Sequence, residues 1–120
     1  MSKDKNEKRA HTRVPLMVKV MEPETGKEEQ CFSREISVGG IFLETTKSYP
    51  IGKSLRLLFH IPGTDREVLV MGSVARVVGA GEKNHAQGVG VSFVDMDGAS
   101  EELIQDYVKK LVTIRQKLSQ

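Results

Sequence analysis

Short apolar segments alternate with glycine, proline and charged turns over most of the chain. Within several segments, apolar and polar residues follow one another with the period of two that is typical of half-buried β-strands. The spacing of the segments is typical of successive antiparallel strands, and closing them into a barrel would leave no exposed sheet edge. We therefore predict a six-stranded antiparallel β-barrel, with strands at 15–21, 28–34, 41–44, 54–61, 67–78 and 88–94.

After Asp97 and Gly98 the apolar period changes to about 3.6 residues, which indicates an amphipathic helix. Ser100 is the predicted N-cap of this helix. The fold class is therefore all-β with a C-terminal helix. The apolar stripe of the helix either packs against the barrel or, with Val112 included, binds a second copy or a partner helix. Its positions are Leu103, Ile104, Tyr107, Val108, Leu111 and Ile114.

The composition is that of one soluble globular domain, with 120 residues, 38% hydrophobic and 28% charged. A formal charge of +2 is too small to indicate general affinity for nucleic acid. The single cysteine, Cys31, excludes an internal disulfide and is typical of a reducing compartment. No apolar stretch is long enough to span a membrane. We expect a cytoplasmic protein without membrane insertion.

Residues 1–13 contain an excess of basic side chains and no apolar run that could pack. We predict that they form a flexible basic arm, followed by the barrel at 14–97 and the helix at 98–120. Arg9 and Arg13 are the chemically informative residues of this arm. A guanidinium group can bind two phosphate oxygens at once and can also stack on a base.

A second polar cluster lies in the predicted turn between strands two and three. Glu35 supplies a carboxylate and Ser37 a hydroxyl, both able to contact the edge of a base. Gly39 and Gly40 leave the backbone bare, so a ligand can approach closely. Together, the two clusters are suited to a phosphorylated purine ligand.

These residues carry a resemblance to the PilZ domain, whose signature is R-x-x-x-R followed by [D/N]-x-S-x-x-G. Arg9 and Arg13 match the first motif, and Ser37 and Gly40 match the second. The resemblance extends over roughly residues 9–93. It implies a non-catalytic receptor for the bacterial second messenger cyclic di-GMP, bound by Arg9, Arg13, Glu35, Ser37, Gly39 and Gly40. It also implies that the signal passes to a partner protein in motility, development or biofilm control.

Glu35 departs from the pattern, which has Asp or Asn at this position. The extra methylene moves the carboxylate and adds a rotatable bond that binding must fix. Two outcomes follow from this departure. The chain is either a weaker receptor or a degenerate PilZ domain that does not bind cyclic di-GMP and acts as a protein-protein interaction module.

Other kinds of site lack the residues that they need. His11, His60 and His85 are scattered and have no paired metal-ligand spacing, so we predict neither a metal nor a cofactor. No nucleophile, base and orienting group occur together, so we predict no catalytic residues. The few aromatic residues argue against a nucleic-acid partner. The oligomeric state is left open between a monomer and a homodimer.

Overall fold

The computed structural model describes residues 10–81 and 86–118, and the side chains of residues 15–81 and 86–113. In this part of the chain, six strands precede one helix. They are β1 (Ala10–Met21), β2 (Glu28–Ile36), β3 (Gly40–Glu44), β4 (Ser54–His60), β5 (Glu67–Val78), β6 (Gly88–Asp95) and α1 (Gly98–Leu118).

The six strands form a closed barrel in the order β1-β2-β3-β6-β5-β4. Each strand is antiparallel to both of its neighbours. The predicted architecture, a six-stranded antiparallel barrel with a C-terminal helix, is confirmed. In the described part of the chain, every strand pairs with a neighbour on both sides along at least part of its length, which limits the exposed sheet edge.

The barrel interior is filled by every second residue of the strands. In β4, Leu55, Leu57 and Phe59 are buried, whereas Arg56 and His60 are exposed. Burial of a large apolar side chain contributes roughly 1.5–3 kcal/mol before the entropic cost of ordering it. The alternation of apolar and polar residues in these segments of the sequence therefore corresponds to side chains that point alternately into the core and into solvent.

Helix α1 packs against the barrel, as one of the two predicted arrangements requires. Ile104 and Val108 belong to the same buried cluster as the barrel interior and lie four residues apart on one helix face. Leu103, Tyr107 and Leu111 are partly buried at the margin of that cluster. The apolar stripe therefore serves mainly to complete the domain core.

The helix is capped by Asp97, three residues before the predicted N-cap, so the assignment of Ser100 was wrong. The Ser100 amide donates a hydrogen bond to Asp97 Oδ1 at 2.7 Å, and the Glu101 amide donates to the Asp97 carbonyl oxygen at 3.0 Å. Hydrogen bonding from Ser100 lowers the pKa of Asp97. Ser100 itself is buried in the first turn. An aspartate at the cap satisfies a free amide and complements the positive end of the helix.

Strand β1 begins at Ala10, four residues before Val14, where the sequence placed the start of the barrel. The last part of the predicted arm, residues 10–13, therefore has strand backbone, and Arg9 lies outside the described residues. β1 pairs with β2 from its first residue, with Ala10 opposite Ile36 and His11 opposite Glu35.

A helix of sufficient length and apolar character to cross a membrane does not occur among the described residues.

Candidate functional site

A cleft of about 240 Å³ lies at the surface of the barrel where β2 turns into β3. The turn forms one wall, to which Glu35, Ser37, Gly39 and Gly40 contribute. Strands β5 and β6 form the other wall. Four of the residues predicted to bind ligand therefore line one cleft.

A bulge near the end of β2 turns Glu35 toward this cleft. Cys31 and Ser33 are buried at alternate positions, but the next buried residue is Ile36, so Arg34 and Glu35 are successive outward-facing residues. The register of β2 shifts at the same point against both neighbouring strands. A bulge of this kind commonly redirects a side chain beside a binding site.

Ser33 stabilises the bulge from inside the barrel. Its hydroxyl, which is fully buried, donates to the Glu35 carbonyl oxygen at 3.1 Å and accepts from the Glu35 amide at 3.4 Å. The neighbouring Arg34 is paired instead with Glu44, with its Nη1 at 2.6 Å and 2.7 Å from the two carboxylate oxygens. The Arg34 guanidinium is therefore occupied by this salt bridge and is not placed to bind a phosphate group.

The turn itself is closed by hydrogen bonds. The Ser37 amide donates to the Gly40 carbonyl oxygen at 2.8 Å, and the Ser37 hydroxyl is 3.3 Å from the same oxygen. Phe93 of β6 donates its amide to the Gly39 carbonyl oxygen at 2.9 Å. The position of the turn is thus fixed by the barrel before any ligand is bound, which lowers the entropic cost of binding.

The two glycines of the turn have different roles. A Cβ atom at Gly40 would lie 2.4 Å from the Val91 carbonyl oxygen, so this position requires glycine for the close approach of β3 and β6. A Cβ atom at Gly39 would meet no atom within 4 Å. Gly39 therefore leaves open space over the turn, whereas Gly40 is needed for packing.

The two predicted arginines belong to the N-terminal part of the chain. Arg13 lies in β1 between His11, which is paired with Glu35, and Leu16, which is paired with Ser33. The backbone at Arg13 consequently runs beside the bulge of β2. Arg9 is outside the described residues, so only the backbone position of Arg13 is compared with the turn.

The family model of the PilZ domain matches residues 7–110 of the chain, which include the whole barrel. The chain belongs to the PilZ family. PilZ domains are receptor domains without catalytic activity, and the prediction that the domain is not an enzyme is confirmed. No curated protein sequence matches the chain significantly.

Solved structures of PilZ proteins share the fold. The inhibitor of motility of Bacillus subtilis (MotI/DgrA) matches with a TM-score of 0.69 and 22% identity, over 93% of this chain and 51% of that one. The chain thus spans about half of that protein. The PilZ domain of YcgR from Escherichia coli, solved with c-di-GMP, matches with a TM-score of 0.64 and 14% identity, over 92% and 93% of the two chains. At such low identity, the likeness concerns the fold.

A third structure, the PlzA protein of Borreliella burgdorferi in complex with c-di-GMP, has a TM-score of 0.52 and 17% identity. The match covers 90% of this chain and 38% of that protein.

In this PilZ domain, sequence reasoning missed a further cationic residue of the cleft. Arg76 of β5 lines the wall opposite the turn, and its guanidinium carbon lies 5.7 Å from the centroid of the Phe42 ring. The only signal in the sequence is a charged residue near the end of a largely apolar strand. That signal cannot show which residue of another strand Arg76 faces. The place of Arg76 in the cleft follows from the pairing of β6 with both β5 and β3.

The described residues contain no group of three His, Cys, Asp or Glu side chains arranged to hold a metal ion.

Proposed function

We propose that this PilZ domain is a non-catalytic cytoplasmic receptor for cyclic di-GMP that relays the signal to a partner protein in bacterial motility, development or biofilm control. The observation that carries the proposal is the cleft, in which Glu35, Ser37 and Gly39 lie together beside the strand that contains Arg13. Two structurally similar PilZ proteins were solved with this ligand, and a third is an inhibitor of motility.

The size of the cleft supports a division of the ligand between two parts of the protein. Pockets that enclose a drug-sized ligand usually measure about 300–1,000 Å³, whereas this cleft measures about 240 Å³. It is therefore suited to one base of the dinucleotide rather than to the whole molecule. The phosphates and the remaining base would be contacted by the N-terminal segment, including Arg9 and Arg13.

The chemistry of the two parts matches this division. Glu35 and Ser37 offer a carboxylate and a hydroxyl, which can accept hydrogen bonds from the amino and imino groups of guanine. Arg9 and Arg13 would supply charge-assisted hydrogen bonds to the phosphate oxygens. These bonds must exceed the cost of ordering the segment, which is of order 1 kcal/mol for each residue fixed.

Replacing Arg13 with alanine should weaken cyclic di-GMP binding at least tenfold, because a hydrogen bond to a charged group contributes about 1.5–3 kcal/mol. Titration calorimetry of the native protein and the variant measures this change. The matched control is Arg66→Ala, in the turn before β5, at the opposite end of that strand from the cleft. If Arg13→Ala and Arg66→Ala bind equally well, Arg13 is not a ligand contact.

Replacing Glu35 with aspartate should tighten binding, since the shorter side chain restores the family pattern and removes one rotor that binding must fix. The expected gain is a few-fold to about tenfold, measured in the same titrations. The melting temperature should stay unchanged, because the bulge is stabilised by Ser33 through the backbone of residue 35. A native protein that gives no heat with cyclic di-GMP, together with no gain in Glu35→Asp, would instead identify the chain as an interaction module.

A further inference from the structure

We infer that Arg76, supported by Phe42, forms a stacking surface for one guanine of the ligand and is a further binding residue of the cleft. This inference rests on the proposed function and adds a residue outside the two signature motifs. It depends on three observations, namely the position of Phe42 on the outer face of β3, the glycines beside it, and the placement of Arg76 over its ring.

Phe42 is buried, yet it does not belong to the barrel core. Its strand neighbours Ile41 and Leu43 are part of the core cluster, whereas Phe42 is 5% exposed and lies outside that cluster. Side chains of successive strand residues point to opposite faces of a sheet. Phe42 therefore lies on the outer surface of the barrel and is covered there by neighbouring groups.

Two glycines of β6, Gly88 and Gly90, lie beside Phe42 and Arg76. Gly90 is paired with Phe42 on one side and with Arg76 on the other. A Cβ atom at Gly90 would lie 3.5 Å from Cβ and 3.6 Å from Nε of Arg76, so the arginine side chain crosses directly over this glycine. A Cβ atom at Gly88 would lie 2.0 Å from the Leu43 carbonyl oxygen and 3.0 Å from Cε2 of Phe42, so this glycine is required first by the close approach of β3 and β6. At Gly90, β6 presents no side chain between Phe42 and Arg76, and the arginine reaches the aromatic ring across this position.

The guanidinium of Arg76 remains available to a ligand. It lies over an aromatic ring, 5.7 Å from the centroid, and forms no salt bridge with a carboxylate in the described part of the chain. Arg76 is exposed and lines the same cleft as Ser37 and Gly39. A planar cation with an aromatic ring on one side can receive a purine on the other, while its charge also attracts phosphate.

The expected effect is measurable, because stacking of one base on a planar side chain commonly changes affinity by about 5- to 150-fold. Arg76→Ala should weaken cyclic di-GMP binding by roughly tenfold or more in titration calorimetry. Arg76→Lys should recover only a minor part of the loss, since it retains the charge without the plane. The melting temperature of both variants should fall by no more than about 5 °C, because Arg76 is exposed and its contact with the Phe42 ring is a single cation–π pair.

A spectroscopic readout separates stacking from a general effect of charge. The arginine Nε–Hε groups give separate signals in proton–nitrogen-15 correlation spectra, and the signal of Arg76 is the one that is missing in Arg76→Lys. The Hε proton of this signal should move upfield when cyclic di-GMP is added to the native protein. Native affinity in both Arg76→Ala and Arg76→Lys, with loss of affinity in Arg13→Ala, would overturn the inference and leave the proposed function intact. Absence of binding by the native protein would overturn both.

Discussion

Replacement of Gly40 with alanine is expected to destabilise the barrel by roughly 3 kcal/mol or more, at the upper end of what overpacking usually costs. The added Cβ would lie 2.4 Å from the Val91 carbonyl oxygen, and the obstacle is backbone rather than a flexible side chain. Gly40 pairs with Ser92 at the first position of the β3–β6 ladder, so relief requires the two strands to separate. In thermal unfolding followed by circular dichroism, the melting temperature should fall by about 10 °C or more.

Gly39→Ala provides the matched control for this prediction. It adds the same methyl group one residue earlier, where no atom lies within 4 Å, and the backbone there is not in the left-handed region. Its stability should remain within about 0.5 kcal/mol of the native protein. Equal stability of the two variants would show that β3 and β6 can move apart at little cost, and that the glycine of the signature is not required for packing.

The sequence predicted the barrel because its segments are short and apolar and are bounded by turn residues. It was less informative where strand pairing does not depend on apolar side chains. Residues 10–13, Ala-His-Thr-Arg, show no apolar alternation, yet they form the start of β1 because the end of β2 offers a partner backbone. The prediction of the N-cap was wrong for a related reason, since aspartate and serine are both good N-cap residues and only the backbone path shows that Asp97, not Ser100, caps the helix.

The candidate site was predictable where its residues are close in sequence. Glu35, Ser37, Gly39 and Gly40 occupy a single turn, so their proximity follows from the connection between two strands. Arg76 is brought to the same cleft by the registers of two strand pairs, one of which is shifted by a bulge between Val74 and Arg76. Sequence periodicity does not give register, and a bulge changes which face a residue occupies.

Cys31 packs in the barrel interior and is not placed to react. It lies between Gln30 and Phe32 in β2. The structure buries it, and burial raises the pKa of its thiol to about 12, with a further contribution from the nearby Glu29 carboxylate. A thiol of this kind has little thiolate at neutral pH, so it is a poor nucleophile.

Replacement of that neighbouring carboxylate, Glu29→Ala, is expected to destabilise the protein by roughly 2–5 kcal/mol. Glu29 accepts hydrogen bonds from the Thr45 hydroxyl, at 3.1 Å and 3.2 Å from its two oxygens, and from the Tyr49 hydroxyl. Thr45 and Tyr49 are 8% and 3% exposed. Each buried hydroxyl that loses its acceptor costs about 1–3 kcal/mol, and both lose it together.

Glu28→Ala is the control, because it removes the same side chain from the adjacent residue on the opposite face of β2. Glu28 is about half exposed, and its carboxylate is 3.9 Å from Lys19 Nζ, so its loss should cost less than about 1 kcal/mol. Urea unfolding of both variants gives the comparison. If Glu29→Ala is no less stable than Glu28→Ala, water has replaced the carboxylate as acceptor. Since Glu29 lies six residues before Glu35, the folded fraction of Glu29→Ala should retain native affinity for cyclic di-GMP, which separates the stability of the barrel from the chemistry of the cleft.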